Sequence, residues 1–567
     1  MEKKQKRIVS VIIVILCFFL YGNSLNNDYA FDAHYVILDH PIVEKGVKGI
    51  PKIFKSHYVN KDIEQHSYRP ITLTSFAIEY QFFGAVPKIS HLINVLLYAL
   101  TCMILFRLLL RLFKEYHWAL ALLTTLLFLI LPVHSEVVNN VKSRDEILCF
   151  LFAILSLFQF VKYVDRNMIK HLLLGVLLIV LSVLSKPSSA TFLVIIPMTL
   201  WFFADVKLKR IGAIVIGLIV TFIIVRFGFA QLLEGSEKIR DGLFSENPLY
   251  VEKGSLVSRI PMATFTVGYY LKLLFYPKSL ICYYGYNHVP MVGWNHIYFW
   301  LSAVVVIPSM VYAFVRIKTK SPLVYGLLYF FVTISMFSNL IQPAVGIIAE
   351  RFVYLPSLGF CIVIAFLLLK AGRATIQDTK KLNLQYKPVF FGLLSLILIL
   401  SAARVITRTK DWKNKFTLLG HDIKEAPNSA KLNAIMANTL FVEMNKSRDP
   451  QKRAKLASQA LPYYQKSVDL VPTYETSWNN MGTLYFNEFR DFEKARECYE
   501  KAVELKPEYE TALFGLGYYY ELQKEYDKSL MYYDRVLEFK PGQPRVLEHM
   551  EAVKRSMSDT IQKQTGR

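Results

Sequence analysis

The chain alternates long apolar runs with short polar connections as far as about Ala403, and there the pattern stops. A helix needs roughly 20 residues to cross a hydrocarbon core. Runs of about that length stand at 8–25, 91–110, 117–133, 146–163, 171–185, 189–204, 210–229, 297–315, 322–340, 352–370 and 387–405, which predicts eleven spans. A further stretch, Ile260–Tyr276, is short and ends at Pro277, and it is read as a re-entrant or surface helix. The connections at 111–114, 162–170, 207–210, 316–320 and 370–387 are basic, as is Lys3-Lys4-Gln5-Lys6-Arg7. By the positive-inside rule these segments face the cytoplasm. Counting Ile260–Tyr276 as a span would put the next basic loop on the wrong side. Everything after Ala403 then lies outside. The first run offers only Gly22-Asn23-Ser24 as a cleavage site, a poor match, so a retained signal anchor is expected.

Beyond Trp412 a different period takes over, of about 34 residues. Pro472, Pro507 and Pro541 end successive units, Ala460, Ala495 and Ser529 recur at one phase, and Tyr464, Tyr499 and Tyr533 at another. Trp478-Asn479-Asn480-Met481-Gly482 with Tyr485, and Leu516-Gly517 with Tyr520, supply small residues where paired helices cross. These units look like tetratricopeptide repeats. The first, from about Ala430, carries an insertion around Met444–Lys455, and a last helix, Pro544–Ser558, is expected to cap the stack, since each repeat buries its face only against a neighbour. The expected division is 1–407 for the membrane domain, 408–429 for a linker and 430–567 for about three repeats with their cap.

Composition agrees with this reading. In 567 residues 53% are hydrophobic and the mean hydropathy is +0.32, too apolar for a soluble protein of several domains. The class is an all-α polytopic membrane helix bundle followed by an α-solenoid. The net charge of +22 is concentrated before Arg408, because the tail from Arg408 holds 26 basic and 23 acidic residues. Anionic lipid headgroups account for the excess, and nucleic acid is not an expected partner. The six cysteines, Cys17, Cys102, Cys149, Cys282, Cys361 and Cys498, show no spacing of a disulfide framework or a metal site.

Charged residues at membrane depth are costly, by about 2.5–3.5 kcal/mol on insertion scales, so their positions carry information. Here they collect at the outer ends of spans. Asp32 follows the first span, in an outer loop over 26–90 that also holds Asp39 and Tyr68-Arg69-Pro70. Leu131-Pro132-Val133-His134-Ser135-Glu136 and Val141-Lys142-Ser143-Arg144-Asp145-Glu146 join spans three and four. Ser185-Lys186-Pro187 joins spans five and six, and Glu350-Arg351-Phe352-Val353-Tyr354-Leu355-Pro356 opens the tenth. All lie on the side of Asp32, which would set one or two carboxylates beside several cations. Tyr283 and Tyr284 are assigned to an interfacial aromatic belt.

That arrangement suits sugar transfer from a polyprenyl phosphate. A hydroxyl is a poor nucleophile at neutral pH, so a carboxylate must take its proton as the bond forms. The departing lipid phosphate gains charge, which arginine or lysine must stabilise.

Asp28-Tyr29-Ala30-Phe31-Asp32, Tyr68-Arg69-Pro70, His91 with Asn94, Pro132-Val133-His134-Ser135-Glu136, Arg144-Asp145, Glu350-Arg351-Phe352-Val353-Tyr354-Leu355-Pro356 and Arg408 with Trp412 resemble the transmembrane, tetratricopeptide-repeat-containing O-mannosyltransferases, which are C-type glycosyltransferases. The resemblance runs through nearly the whole chain in the same order. It implies a C-type glycosyltransferase architecture, Asp32 as catalytic base, and transfer of a sugar, mannose by resemblance, to Ser/Thr hydroxyls of exported proteins with inversion. Arg351, Lys186 and Arg144 are then expected at the donor phosphate, with Glu136, His134, Asp39, Tyr68, Arg69, Glu350 and Tyr354 as supporting or acceptor-site residues. The family has a second acid directly after the base, where this chain has Ala33; Asp39 or Glu136 is the expected substitute. The short repeat array and a Lys- and Ile-rich composition point to a bacterial relative in the cytoplasmic membrane, with an undecaprenyl-phosphate sugar as donor and the repeats outside, holding the protein acceptor. No cofactor or metal is expected. Two other readings stay open: a glycan- or lipid-modifying transferase, and a non-catalytic scaffold whose repeats recruit partners.

Overall fold

A computed structural model describes residues 1–58, 68–230, 247–250, 255–377 and 382–565. Residues 59–67 of the expected outer loop and 378–381 of the last basic connection lie outside the described residues. The described chain is helical, with isolated β-bridges between Tyr284 and Ile348 and between Ala374 and Leu384. It forms two units: residues 1–284 with 289–421, and residues 285–288 with the chain from Asp422 onward.

In the first unit a helix stands at each of the eleven predicted runs. Six are long and apolar enough to cross a membrane: Lys3–Asn26, Pro87–Leu112, Val141–Arg166, Leu208–Gly228, Ile297–Val315 and Lys387–Asp411. Five more are apolar but shorter: Ala119–Ile130, Ile169–Ser185, Pro187–Phe203, Pro322–Phe337 and Ser357–Ala371. Their outer faces carry Ile15, Ile224, Phe227, Val304, Val315 and Ile399, all exposed. Apolar area displayed on that scale calls for lipid as its solvent, and a helix satisfies its own backbone there. The chain is a multi-pass membrane protein. The stretch read as a re-entrant or surface helix is a 20-residue helix, Leu256–Phe275, with Pro261 inside it.

The helices Pro322–Ile334 and Ser357–Ala371 touch backbone to backbone where Gly326 meets Gly359. A Cβ on Gly359 would sit 2.6 Å from the Phe330 amide nitrogen, closer than atoms can pack. This is the small-residue crossing that close helix pairs in lipid use. It also fixes the turn Glu350–Val353 just ahead of the second helix.

The loop after the first helix folds over its own small core. Tyr29, Ala33, Val36, Ile37, Ile53 and Tyr58 pack with Leu73, Phe76 and Ala77 of the helix Pro70–Phe83. Proline at the first helical position needs no amide donor and starts that helix, so Tyr68-Arg69-Pro70 marks its entry.

In the second unit, helix pairs Ala430–Lys446 with Pro450–Leu470, Glu475–Leu484 with Phe492–Leu505, and Glu510–Leu522 with Tyr526–Phe539 precede a last helix, Pro544–Thr565. Ser429, Asp449 and Asp491 cap three of the helices through their side chains. The second pair carries a π-helical turn, Tyr485–Phe489. One extra residue in a helix is accommodated that way, and it explains why Pro472 and Pro507 are one residue further apart than Pro507 and Pro541. The Tyr499 ring fills the space over Gly482 and Gly515, and Tyr533 the space over Gly517. The stretch set down as a linker, 408–429, is mostly helical: it holds the end of Lys387–Asp411 and a further helix, Lys415–Glu425.

Candidate active site

Asp32 sits on a turn that the preceding residue strains: Phe31 has φ 54°, in the left-handed region that non-glycine residues rarely adopt. The Asn140 amide donates to Asp32 Oδ1 at 2.9 Å, and Lys142 Nζ donates to Oδ2 at 2.6 Å. Both partners come from the connection between the third and fourth predicted spans. Burial alone would push the Asp32 carboxyl up, but Lys142 and Arg351 hold it below its ordinary value, helped by the hydrogen bonds from Lys142 and Asn140. The carboxylate is therefore ionised at neutral pH and keeps 22% of its side-chain surface exposed.

Arg351 stands on the turn Glu350–Val353 and is held by Glu136. Its Nη1 donates to Glu136 Oε1 at 2.5 Å and its backbone N–H to Oε2 at 2.9 Å. Burial opposes the guanidinium charge, and Glu136 and Asp32 outweigh it, so Arg351 is raised above its ordinary value. Arg69 pairs with Asp145 and lies over the Tyr58 ring at 4.7 Å. Lys186, at the end of the helix Ile169–Ser185, pairs with Glu146. Arg144 pairs with Glu79 at 2.6 Å and donates from Nε to Asn94 Oδ1 at 2.8 Å. Five carboxylates thus face five cations, one to one, where the sequence suggested one or two carboxylates.

Several residues take other places than expected. Arg144 is fully buried between Glu79, Asn94 and the Phe76 ring, in the wall behind the site and not at its surface. Its bonds to Asn94 and to the Ser90 carbonyl tie its helix to Pro87–Leu112. His134 and Glu136 do not bond to each other. His134 bonds through Nδ1 to the Tyr98 hydroxyl and through Nε2 to Ser357 Oγ, and burial brings its imidazole down to about 3, so it is neutral. Tyr354 is fully buried, packed edge-on against His134 with ring centroids 4.8 Å apart, as part of an aromatic support under the site. Glu350 accepts the Tyr284 hydroxyl at 2.9 Å. Tyr284 is accordingly fully buried, which removes it from the expected interfacial belt. Tyr68 donates to the Phe54 carbonyl inside the loop. Asp39 is exposed after the short helix His34–Ile37 and pairs with none of the five cations. Ala33 is fully buried among Tyr29, Val36 and Phe76. A carboxylate at that position would enter an apolar core, so this loop as folded has no place beside Asp32 for a second acid at 33.

Lys142, Asn140, Asp145, Glu146 and Glu79 were not among the site residues named from the sequence. Lys142 and Asp145 stand in the quoted polar run beside Arg144 and Glu146. Glu79 is a lone acid in the otherwise uncharged helix Pro70–Phe83, which was the available signal. No group of three or more His, Cys, Asp or Glu able to hold a metal ion occurs among the described residues.

Comparison with known proteins adds the following. A family model for the tetratricopeptide repeat matches residues 485–544. Protein O-mannosyl-transferase TMTC3 of Mus musculus is 24% identical over 518 residues, covering 85% of this chain and 53% of that protein. Protein O-mannosyl-transferase F38B6.6 of Caenorhabditis elegans is 26% identical over 479 residues, 82% of this chain and 63% of that protein. Protein O-mannosyl-transferase TMTC1 of Homo sapiens is 24% identical over 521 residues, 82% and 55%. The chain therefore spans between about half and two thirds of the length of these relatives. Along most of its own length the chain is similar to protein O-mannosyl-transferases, and its repeat region matches the tetratricopeptide model, in keeping with the resemblance of its motifs.

Proposed function

We propose that this chain is an integral-membrane glycosyltransferase that moves a sugar, mannose by its resemblance and relatives, from a polyprenyl-phosphate carrier to Ser/Thr hydroxyls of exported proteins. The observation that carries this reading is Asp32: an ionised, partly exposed carboxylate on a strained turn, oriented by Asn140 and Lys142, with Arg351 in electrostatic reach. Asp32 takes the proton of the acceptor hydroxyl as its oxygen attacks the anomeric carbon. The bond from that carbon to the phosphate oxygen breaks, and the electron pair leaves with the lipid phosphate. Arg351 and Lys142, partly exposed beside Asp32, stabilise the charge that develops there; Lys186, more deeply placed, adds to the field. One displacement with one base inverts the anomeric centre. The site would face the outer side of the cytoplasmic membrane, with the repeats presenting the protein acceptor.

Asp32→Asn tests this directly, because the amide keeps the shape and cannot take the proton. Loss of about 10²–10⁴-fold in transfer with normal membrane insertion is expected. Full activity in that variant removes Asp32 from the mechanism. Mass spectrometry of exported proteins, with and without the intact chain, identifies the transferred mass and the modified hydroxyl. A hexose that appears only on a glycan or lipid overturns the protein acceptor.

A further inference from the structure

Among the described residues the site's ten charges are matched one to one, so a lipid phosphate arriving there finds no unpaired cation among them. One of the existing pairs must open or be shared. Lys186 and Arg144 are 7% and 0% exposed in their side chains, too deep to turn outward, whereas Arg69, Lys142 and Arg351 are 18%, 17% and 19% exposed. Arg351 holds buried Glu136 through both its guanidinium and its backbone N–H, and Arg69 holds buried Asp145 while lying over Tyr58. Withdrawing either guanidinium would break the ion pair of a buried carboxylate, which is strongly destabilising. Lys142 differs in two ways. Its carboxylate partner is the partly exposed Asp32, which keeps Asn140 if the lysine turns away. Its ammonium is a point charge on a flexible stem with three donors, suited to sharing between two anions.

We infer that Lys142 is handed between Asp32 and the donor's phosphate, so that donor binding releases the base for the acceptor. Without donor, Lys142 holds Asp32 in place and lowers its basicity. With the phosphate present, the ammonium turns to it, and Asp32, still oriented by Asn140, becomes the stronger base. No bond is made or broken in the exchange, and Lys142 stays charged. The other groups that act on Asp32 do not move in it: Arg351 stays with Glu136, and the Tyr58 phenol stays on its loop. The inference rests on the polyprenyl-phosphate reading and adds an order to it, donor before acceptor.

The test is binding of farnesyl phosphate, with farnesol as the phosphate-free control, to the purified full chain and to Asp32→Asn, Lys142→Met and the double variant. Competition for Lys142 predicts that Asp32→Asn binds farnesyl phosphate more tightly than the wild type. It also predicts that Lys142→Met binds it about tenfold more weakly, and that Asp32→Asn gains nothing once Lys142 is gone. An equal gain from Asp32→Asn with and without Lys142 means plain repulsion by the carboxylate and overturns the hand-over. So does unchanged affinity in Lys142→Met. If Lys142→Met does not fold, Lys142→Gln serves in the same cycle. Wild-type chain that binds farnesyl phosphate no better than farnesol overturns the phosphate-donor reading itself, an outcome distinct from the failure of the cycle.

Discussion

Glu136 and Arg351 show how a single side chain can serve structure and chemistry at once. Glu136 is fully buried and spends both oxygens on Arg351. Arg351→Ala therefore does two things: it removes a cation from the proposed donor phosphate, and it leaves buried Glu136 without its ion-pair partner, with only the backbone N–H of residue 351 to bind it, at a cost of about 3–5 kcal/mol. The two effects separate in the double variant Arg351→Ala/Glu136→Gln, which should recover most of the lost thermal stability in detergent while donor use stays weak. Recovery of both would make Arg351 structural. The pH dependence follows from Asp32. Its carboxyl lies below the ordinary value in the folded chain, so the stability it contributes is present above the unfolded value and is lost as pH falls through the folded one. The kcat/KM for the donor, which reports the donor-free chain, should accordingly show no Asp32-dependent acid limb between about pH 5 and 7, and Lys142→Met should move that limb upward because one of the cations depressing the carboxyl is gone. An unshifted limb would mean that Arg351 alone sets the value. The residue types and their clustering were legible in the chain, since charge near membrane depth is rare enough to stand out. The pairing was not, because Glu136 with Arg351 and Lys142 with Asp32 are separated by more than a hundred positions and nothing local selects them.

At the scale of elements, hydrophobic run length placed a helix at each of the eleven predicted runs, since that signal depends only on composition over about 20 residues, but it did not mark Pro70–Phe83 or His134–Asn139. It did not separate helices long enough to cross from the shorter ones such as Ala119–Ile130 and Pro187–Phe203, because polar residues of a loop can continue a helix and a proline can break an apolar run. The tight helix contact at Gly326 and Gly359 was equally silent in the hydropathy pattern. Gly359→Ala would drive a methyl group to within 2.6 Å of the Phe330 nitrogen and force the helix pair apart. A loss of about 1–3 kcal/mol is expected from overpacking of this kind, read as a lower unfolding temperature in detergent. Transfer should fall with it, because the turn bearing Arg351 leads into the same helix. Wild-type unfolding temperature in that variant would show that the crossing yields easily. The tetratricopeptide repeats were readable at the same scale because their period is carried by large and small residues at fixed phases, and the π-helical turn at Tyr485–Phe489 shows how one extra residue leaves that phase intact on both sides.

At the scale of the whole molecule, two cores with different solvents lie in one chain. The membrane unit buries polar clusters and displays apolar faces, whereas the repeats bury Tyr499, Leu516 and Tyr533 against small residues and display charge. The charged pairs of the candidate site, from Asp32 to Arg351, all belong to the first unit, and the hydrophobic cluster of the second is built wholly from the repeats. Removing the chain from Asn428 onward should therefore leave the membrane unit folded and farnesyl phosphate binding unchanged. If the repeats present the acceptor, transfer to the intact protein should drop by about tenfold or more, the equivalent of about 1.4 kcal/mol of lost binding, while transfer to a short peptide holding the same hydroxyl changes little. Equal loss on peptide and protein would mean instead that the repeats support the loops around Asp32. Unchanged transfer to both would take the repeats out of acceptor recognition and leave them as a surface for a separate partner, the part of the proposal that the membrane unit's own chemistry does not require.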